Sequence, residues 1–104
     1  WRAARLLVVQ TFADIEATVG GGADLSPTMR ADLRAAAVYA TDVSREVAQW
    51  AHLAAGTTAI REGSRLERAF RDLFTGTQHA FISQKVAIDA AQVWLGLVDD
   101  PLGL

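Results

Sequence analysis

Between Pro27 and Gly56 the residues Met29, Leu33, Ala36, Ala40, Val43, Val47, Trp50 and Ala54 recur in an unbroken alternation of four and three. That is the spacing of a single stripe on an α-helix. Ser26 is placed to cap its start, Pro27 suits the first helical position because its missing N–H is not needed there, and Gly56 is placed to end it in the left-handed conformation. A helix over 27–55 is on the order of 40 Å long at ~1.5 Å per residue, so it needs partners along its whole length. A seam of this period packs against neighbouring helices at a shallow angle, with Val47 in its middle as a core residue.

Those partners are legible on either side. Val8, Phe12, Ile15 and Val19 form a helical face that "GGGAD", 20–24, brings to an end. After the connector "GTTAIREG", 56–63, Ser64 and Glu67 have the spacing of a capping box. Leu66, Phe70, Leu73, Ile88, Ala91 and Leu95 then carry a third helix to about Leu97, with "DDPLGL" as a tail. The predicted fold class is all-α, an antiparallel bundle of three long helices. Abundant Ala, with Pro only at 27 and 101, agrees. Leu6, Val9 and Ala13 on the first helix and Phe74, Phe81 and Trp94 on the third add apolar surface beyond one core stripe, which a fourth helix or another subunit is expected to cover. Trp50 and Trp94 read as core or interface aromatics, and His52 as a dipole partner at the end of the second helix or an interface residue.

At 104 residues the chain holds one domain or a piece of one. It opens at Trp1 within an amphipathic pattern and without an initiator Met, so a fragment of something longer is expected. The net charge is -2, Lys occurs only at 85, and no basic stripe is present to neutralise phosphates. Nucleic acid is not the expected partner. No run reaches the roughly 20 apolar residues of a membrane span, and a soluble, cytoplasmic protein is expected. The absence of Cys removes disulfides, thiolate metal sites and a Cys nucleophile, while His52 and His79 lie on different helices without ligand-spaced carboxylates. No metal is expected. Nucleophile-elbow, Walker and dinucleotide patterns are missing as well.

One segment fits neither a solvated helix nor a plain core. In "RDLFTGTQHAFISQK", 71–85, no charge stands between Asp72 and Lys85, yet Thr75, Thr77, Gln78 and His79 are polar. Arg68, Asp72, Thr75 and His79 follow at steps of four, three and four, and so share one face of a continuous third helix. Gly76 lies beside them, where a missing side chain lets a ligand or another backbone approach. Two readings fit this pattern: a partly solvated face with a His that caps or packs, and one wall of a polar ligand pocket. "GTT" at 56–58 could present N–H groups and hydroxyls to an anion, but by default it is a plain turn.

The segment "LAAGTTAIREGSRLERAFRDLFTGTQHAFIS", 53–83, resembles the C-terminal helical domain of the acyl-CoA dehydrogenase superfamily. Within it, the segment is most similar to the branch of reduced-flavin-dependent two-component monooxygenases. The carriers of the resemblance are the turn Ala54 to Thr58, Leu66 to Arg68, Arg71 with Asp72, and Gln78 with His79. The turn departs from the usual "AGGSA" by Ala55, Thr57 and Thr58. The resemblance implies that 1–104 supplies three helices of a C-terminal four-helix bundle, with the first bundle helix, a β domain and an N-terminal domain lying outside it. It implies FAD or FMN as cofactor, a homo-oligomer, specifically a tetramer, a small organic substrate and a flavin reductase partner. His79 becomes the catalytic residue beside flavin and substrate. Gly56, Thr57, Thr58, Arg71, Thr75 and Gln78 become cofactor-binding residues, with Arg71 and Asp72 alternatively a structural pair. Many acyl-CoA dehydrogenases carry a Glu base at the position of Ala80, and a methyl group cannot take a proton. Dehydrogenation of an acyl thioester is the runner-up, and a helical oligomerisation module without a site is the third reading.

Overall fold

The computed structural model describes residues 1–100, all helix, turn or loop: α1 (Arg2–Gly20), α2 (Pro27–Ala54), a single 3-10 turn (Gly56–Thr58), α3 (Arg65–Gly76) and α4 (Gln84–Trp94). The all-α bundle expected from the sequence is the observed architecture, with no strand among the described residues. The residues after Asp100 in the expected tail lie outside the described residues. α2 is the spine, and α1, α3 and α4 each pack against it.

Both ends of α2 follow from local chemistry. The Ser26 hydroxyl accepts the N–H of Met29 at 3.2 Å and Pro27 opens the helix. Gly56, with φ of 56°, closes it. α1 ends in the turn that three glycines permit: the N–H of Gly22 donates to the carbonyl of Val19 and that of Ala23 to Thr18, with Gly22 at φ of 80°. These two bonds satisfy carbonyls that the helix end would otherwise leave open. The Ser64 side chain makes no capping bond, and Glu67 instead pairs with Arg71 at 3.5 Å, so the expected capping box does not form.

The third helix is two helices. The polar segment singled out in the sequence is where the helix stops: Thr75 Oγ1 donates back to the carbonyl of Arg71 at 2.9 Å and Thr77 Oγ1 to Phe74 at 2.7 Å. Such back-bonding competes with the helical ladder, and Gly76 weakens it further. The ladder tightens at the end, with the N–H groups of Gln78 and His79 donating to carbonyls three residues earlier, and Ser83 is extended before α4 begins. A stripe drawn through both helices loses its register at 77–83. Phe70 and Leu73 are half-buried as expected, whereas Ile88 and Leu95 are exposed and Val86, Asp89 and Ala90 are buried in their place.

The core is made of small residues. Ala4, Ala31, Ala36, Val38, Ala59, Val86 and Ala90 are the buried apolar residues, and no large side chain is fully buried. On α2 the buried residues are Ala31, Ala36 and Val38; the expected seam is covered in its first half, where Ala36 is buried and Met29, Leu33, Ala40 and Val43 are half-buried, and is open in its second, where Val47 is 45% exposed and Trp50 71%. On α1 the face toward α2 is Ala4, Val8, Thr11, Ile15 and Thr18, and Phe12 and Val19 point to solvent. Larger side chains tie the outer helices to the spine. The His52 ring meets Phe70 edge-on at 4.3 Å, Phe70 stacks on Phe74 at 4.5 Å, and Trp94 Nε1 donates to Asp32 Oδ1 at 2.8 Å. Arg30 reaches from α2 to Asp100 at 2.7 Å. Trp50 and Trp94 are therefore not core residues of this chain, and His52 sits in the last turn of α2 with its ring engaged.

Candidate functional site

The break between α3 and α4 positions His79. It lies beyond the end of α3, so it does not continue the stripe of Arg68, Asp72 and Thr75, which share a face of that helix. The imidazole Nδ1 accepts the backbone N–H of Phe81 at 3.2 Å, and the carbonyl of His79 accepts the N–H of Ile82 at 2.9 Å. The rings of His79 and Phe81 lie 5.4 Å apart, and the guanidinium of Arg34 stands 5.3 Å from the Phe81 centroid. That contact ties the break to α2. A nitrogen that accepts a hydrogen bond carries no proton, so the neutral ring holds its proton at Nε2. His79 is exposed, and its Nε2 has no partner among the described residues.

Thr75 and Gln78 are near neighbours of His79 in this turn, and both are exposed. The Thr75 hydroxyl is spent on the Arg71 carbonyl, leaving its oxygen as an acceptor, and Gln78 Nε2 donates to Thr77 Oγ1 at 3.3 Å. Arg71 pairs with Glu67 and not with Asp72. Gly56, Thr57 and Thr58 are also exposed, and no atom lies within 4 Å of where a Cβ on Gly56 would stand. In the chain, α3, roughly 18 Å long at ~1.5 Å per residue, lies between them and the turn at 77–83. Two polar edges result, one at each end of α3.

Each of these residues offers polar groups at the surface. The 56–58 turn offers hydroxyls and open backbone, Arg71 offers a cation on the flank of α3, and the far turn offers an amide, a hydroxyl oxygen and an imidazole. None of them is buried deeply enough to enclose a ligand within one chain. A polar concavity of about 540 Å³ flanks the start of α3, where Ser64, Glu67, Arg68 and Arg71 line it. Among the described residues no three His, Cys, Asp or Glu converge as metal ligands. No helix among them is long and apolar enough to cross a membrane.

A second hollow lies elsewhere. An apolar groove of about 580 Å³ runs between α1, α2 and α4, lined by Leu7, Thr11, Ile15, Met29, Tyr39 and Trp94 among others, with Asp14 and Asp32 at its edge. Sequence reasoning did not find it, because Asp32 and Trp94 meet across 62 positions and no local spacing announces that. The buried carboxylate of Asp89, held by Lys85, also went unnoticed, although their separation of four was a visible signal.

Residues 1–84 match the family described as "Acyl-CoA dehydrogenase, C-terminal domain". The chain belongs to that family. The matched span takes in α1, α2, α3 and the break, and hence every candidate site residue of this acyl-CoA dehydrogenase C-terminal domain. No curated protein and no solved structure matches the chain.

Proposed function

We propose that this domain is part of a reduced-flavin-dependent monooxygenase that hydroxylates a small organic substrate, with FAD or FMN delivered reduced by a separate reductase. The observation that carries this reading is the pair at the break. By the resemblance Ala80 stands where many acyl-CoA dehydrogenases carry a Glu base, and beside it the imidazole of His79 is held through Nδ1 with Nε2 open. In this reading Gly56, Thr57, Thr58, Arg71, Thr75 and Gln78 hold the flavin, and the two polar edges are completed by neighbouring subunits of a tetramer. The bound reduced flavin supplies the electrons that activate dioxygen. His79 contributes a hydrogen bond from Nε2 as the neutral ring, or a proton as the imidazolium, toward the substrate, and the Phe81 N–H orients the neutral ring with Nε2–H outward. A preceding bundle helix seated in the groove of α1, α2 and α4, a β domain and an N-terminal domain complete the enzyme.

The runner-up is an acyl-CoA dehydrogenase whose base comes from outside this chain. The family membership supports it equally, and Ala80 counts against a base at this position.

The test is His79→Ala in the longer enzyme, supplied with its reductase. Flavin binding and fold are retained because the side chain is exposed, and hydroxylation falls by roughly 10²- to 10⁴-fold, the scale of losing a positioned acid or base. Reduced flavin goes on consuming oxygen, and the lost product is replaced by hydrogen peroxide. Unchanged product yield with unchanged coupling makes His79 a structural residue. Oxidation of an acyl thioester by the intact enzyme replaces the reading with the dehydrogenase.

A further inference from the structure

Arg34 is a cation that its own helix leaves without an ionic partner. The positions three and four residues away from it on α2 are Arg30, Ala31, Ala37 and Val38, so no carboxylate stands where an intrahelical ion pair needs one. Arg30 reaches to Asp100, and Arg34 takes part in none of the ion pairs among the described residues. Its guanidinium stands instead 5.3 Å from the centroid of Phe81, within the ~6 Å over which a cation is attracted to the face of a ring. Arg34 is half-buried, so this contact forms at the edge of the bundle and not in open water.

The turn that carries His79 has no other polar tie to α2. Among the described residues every hydrogen bond of 77–83 stays between Leu73 and Ala87. The bond from the Phe81 N–H to Nδ1 of His79, at 3.2 Å, spans two residues of an exposed stretch. Water competes for both of its groups, so its net contribution is small unless its geometry is fixed from outside. Arg34 supplies that fixed point. It holds the Phe81 side chain to α2, and the N–H attached to the same Cα is thereby held toward the imidazole. The two rings lie 5.4 Å apart, inclined at 44°, on the same side of the turn as this bond.

We propose that Arg34 is the positioning residue of His79: through Phe81 it fixes the imidazole with Nδ1 engaged and Nε2 outward. This rests on the reading of His79 as the group that meets substrate, and it names a residue of another helix on which that role depends.

The test uses the full chain at about pH 8, where an ordinary imidazole is neutral and can accept a hydrogen bond. Arg34→Met removes the charge and keeps the apolar stem. Amide hydrogen exchange at Phe81 is expected to rise ~2- to 5-fold, the scale of an exposed cation–π contact, while amides inside α1 keep their rates. Arg34→Lys retains a cation and is expected to return the exchange toward the unaltered rate. In a Phe81→Leu background Arg34→Met is expected to change nothing at position 81, because the ring that couples the two sites is gone. An unaltered rate in Arg34→Met, a rate in Arg34→Lys as fast as in Arg34→Met, or an undiminished response in the Phe81→Leu background each overturns the proposal. The longer enzyme, supplied with its reductase, separates this inference from the function it rests on. There Arg34→Met is expected to shift turnover from hydroxylated product to hydrogen peroxide by a similar ~2- to 5-fold, with KM for the substrate unchanged. Faster exchange in the chain with unaltered coupling in the enzyme leaves Arg34 as the anchor of the turn and overturns the reading of His79 as the group that meets substrate.

Discussion

The backbone N–H of Phe81 donates to Nδ1 of His79 at 3.2 Å, so the turn that ends α3 also selects which nitrogen of the ring carries its proton. Long-range ¹⁵N–¹H correlation on the neutral protein is expected to show His79 with its proton on Nε2. Phe81→Pro removes the donor without a charge change and should shift the ring toward a mixture of tautomers. A ring already protonated on Nδ1 in the unaltered chain shows the bond to be absent.

Val38 and Val47 lie nine positions apart on α2, and burial separates them: 7% against 45% exposed. Val38→Asp buries an unpaired carboxylate and is expected to cost at least ~3 kcal/mol in chemical denaturation. Val47→Asp, measured on dilute monomer, should stay within about 0.5 kcal/mol. Equal losses at both sites would restore Val47 to the core.

Trp94→Phe keeps most of the apolar contact of α4 with the groove and deletes the indole bond to Asp32. A loss of about 1 kcal/mol is expected, the usual net worth of one hydrogen bond. Asp32→Asn should cost less, because its amide oxygen still accepts the indole. A larger loss for Asp32→Asn than for Trp94→Phe contradicts this pairing.

Two glycines at opposite ends of the connector and α3 should answer with opposite signs. Gly56 has φ of 56°, and Gly56→Ala is expected to destabilise by about 1 kcal/mol even though the space around it is open. Gly76 closes α3 with ordinary helical φ and nothing within 4 Å, so Gly76→Ala should stabilise by about 0.5–1 kcal/mol. Thermal or urea unfolding of the two variants side by side checks the contrast.

What the sequence determined by itself is what short-range chemistry controls. Ser26 and Pro27 start α2, Gly56 ends it and Gly22 closes α1, because a cap or a left-handed residue acts within one turn of itself. Helical periodicity in the first two helices was legible for the same reason, and the seven candidate site residues rest on a motif that is likewise local. The tertiary structure decided which stripe of each helix is inside. α2 carries apolar residues on several faces, and only the docking of α1, α3 and α4 covered Ala31, Ala36 and Val38 while leaving Val47 and Trp50 exposed. It also decided where the third helix breaks. Threonines that bond back to the chain and a glycine weaken the ladder at 75–77 by only about a kilocalorie per residue, which periodicity alone carries straight through. The contacts of Arg34 with Phe81 and of Asp32 with Trp94, far apart in the chain, turn that weakness into a fixed break with His79 at its surface.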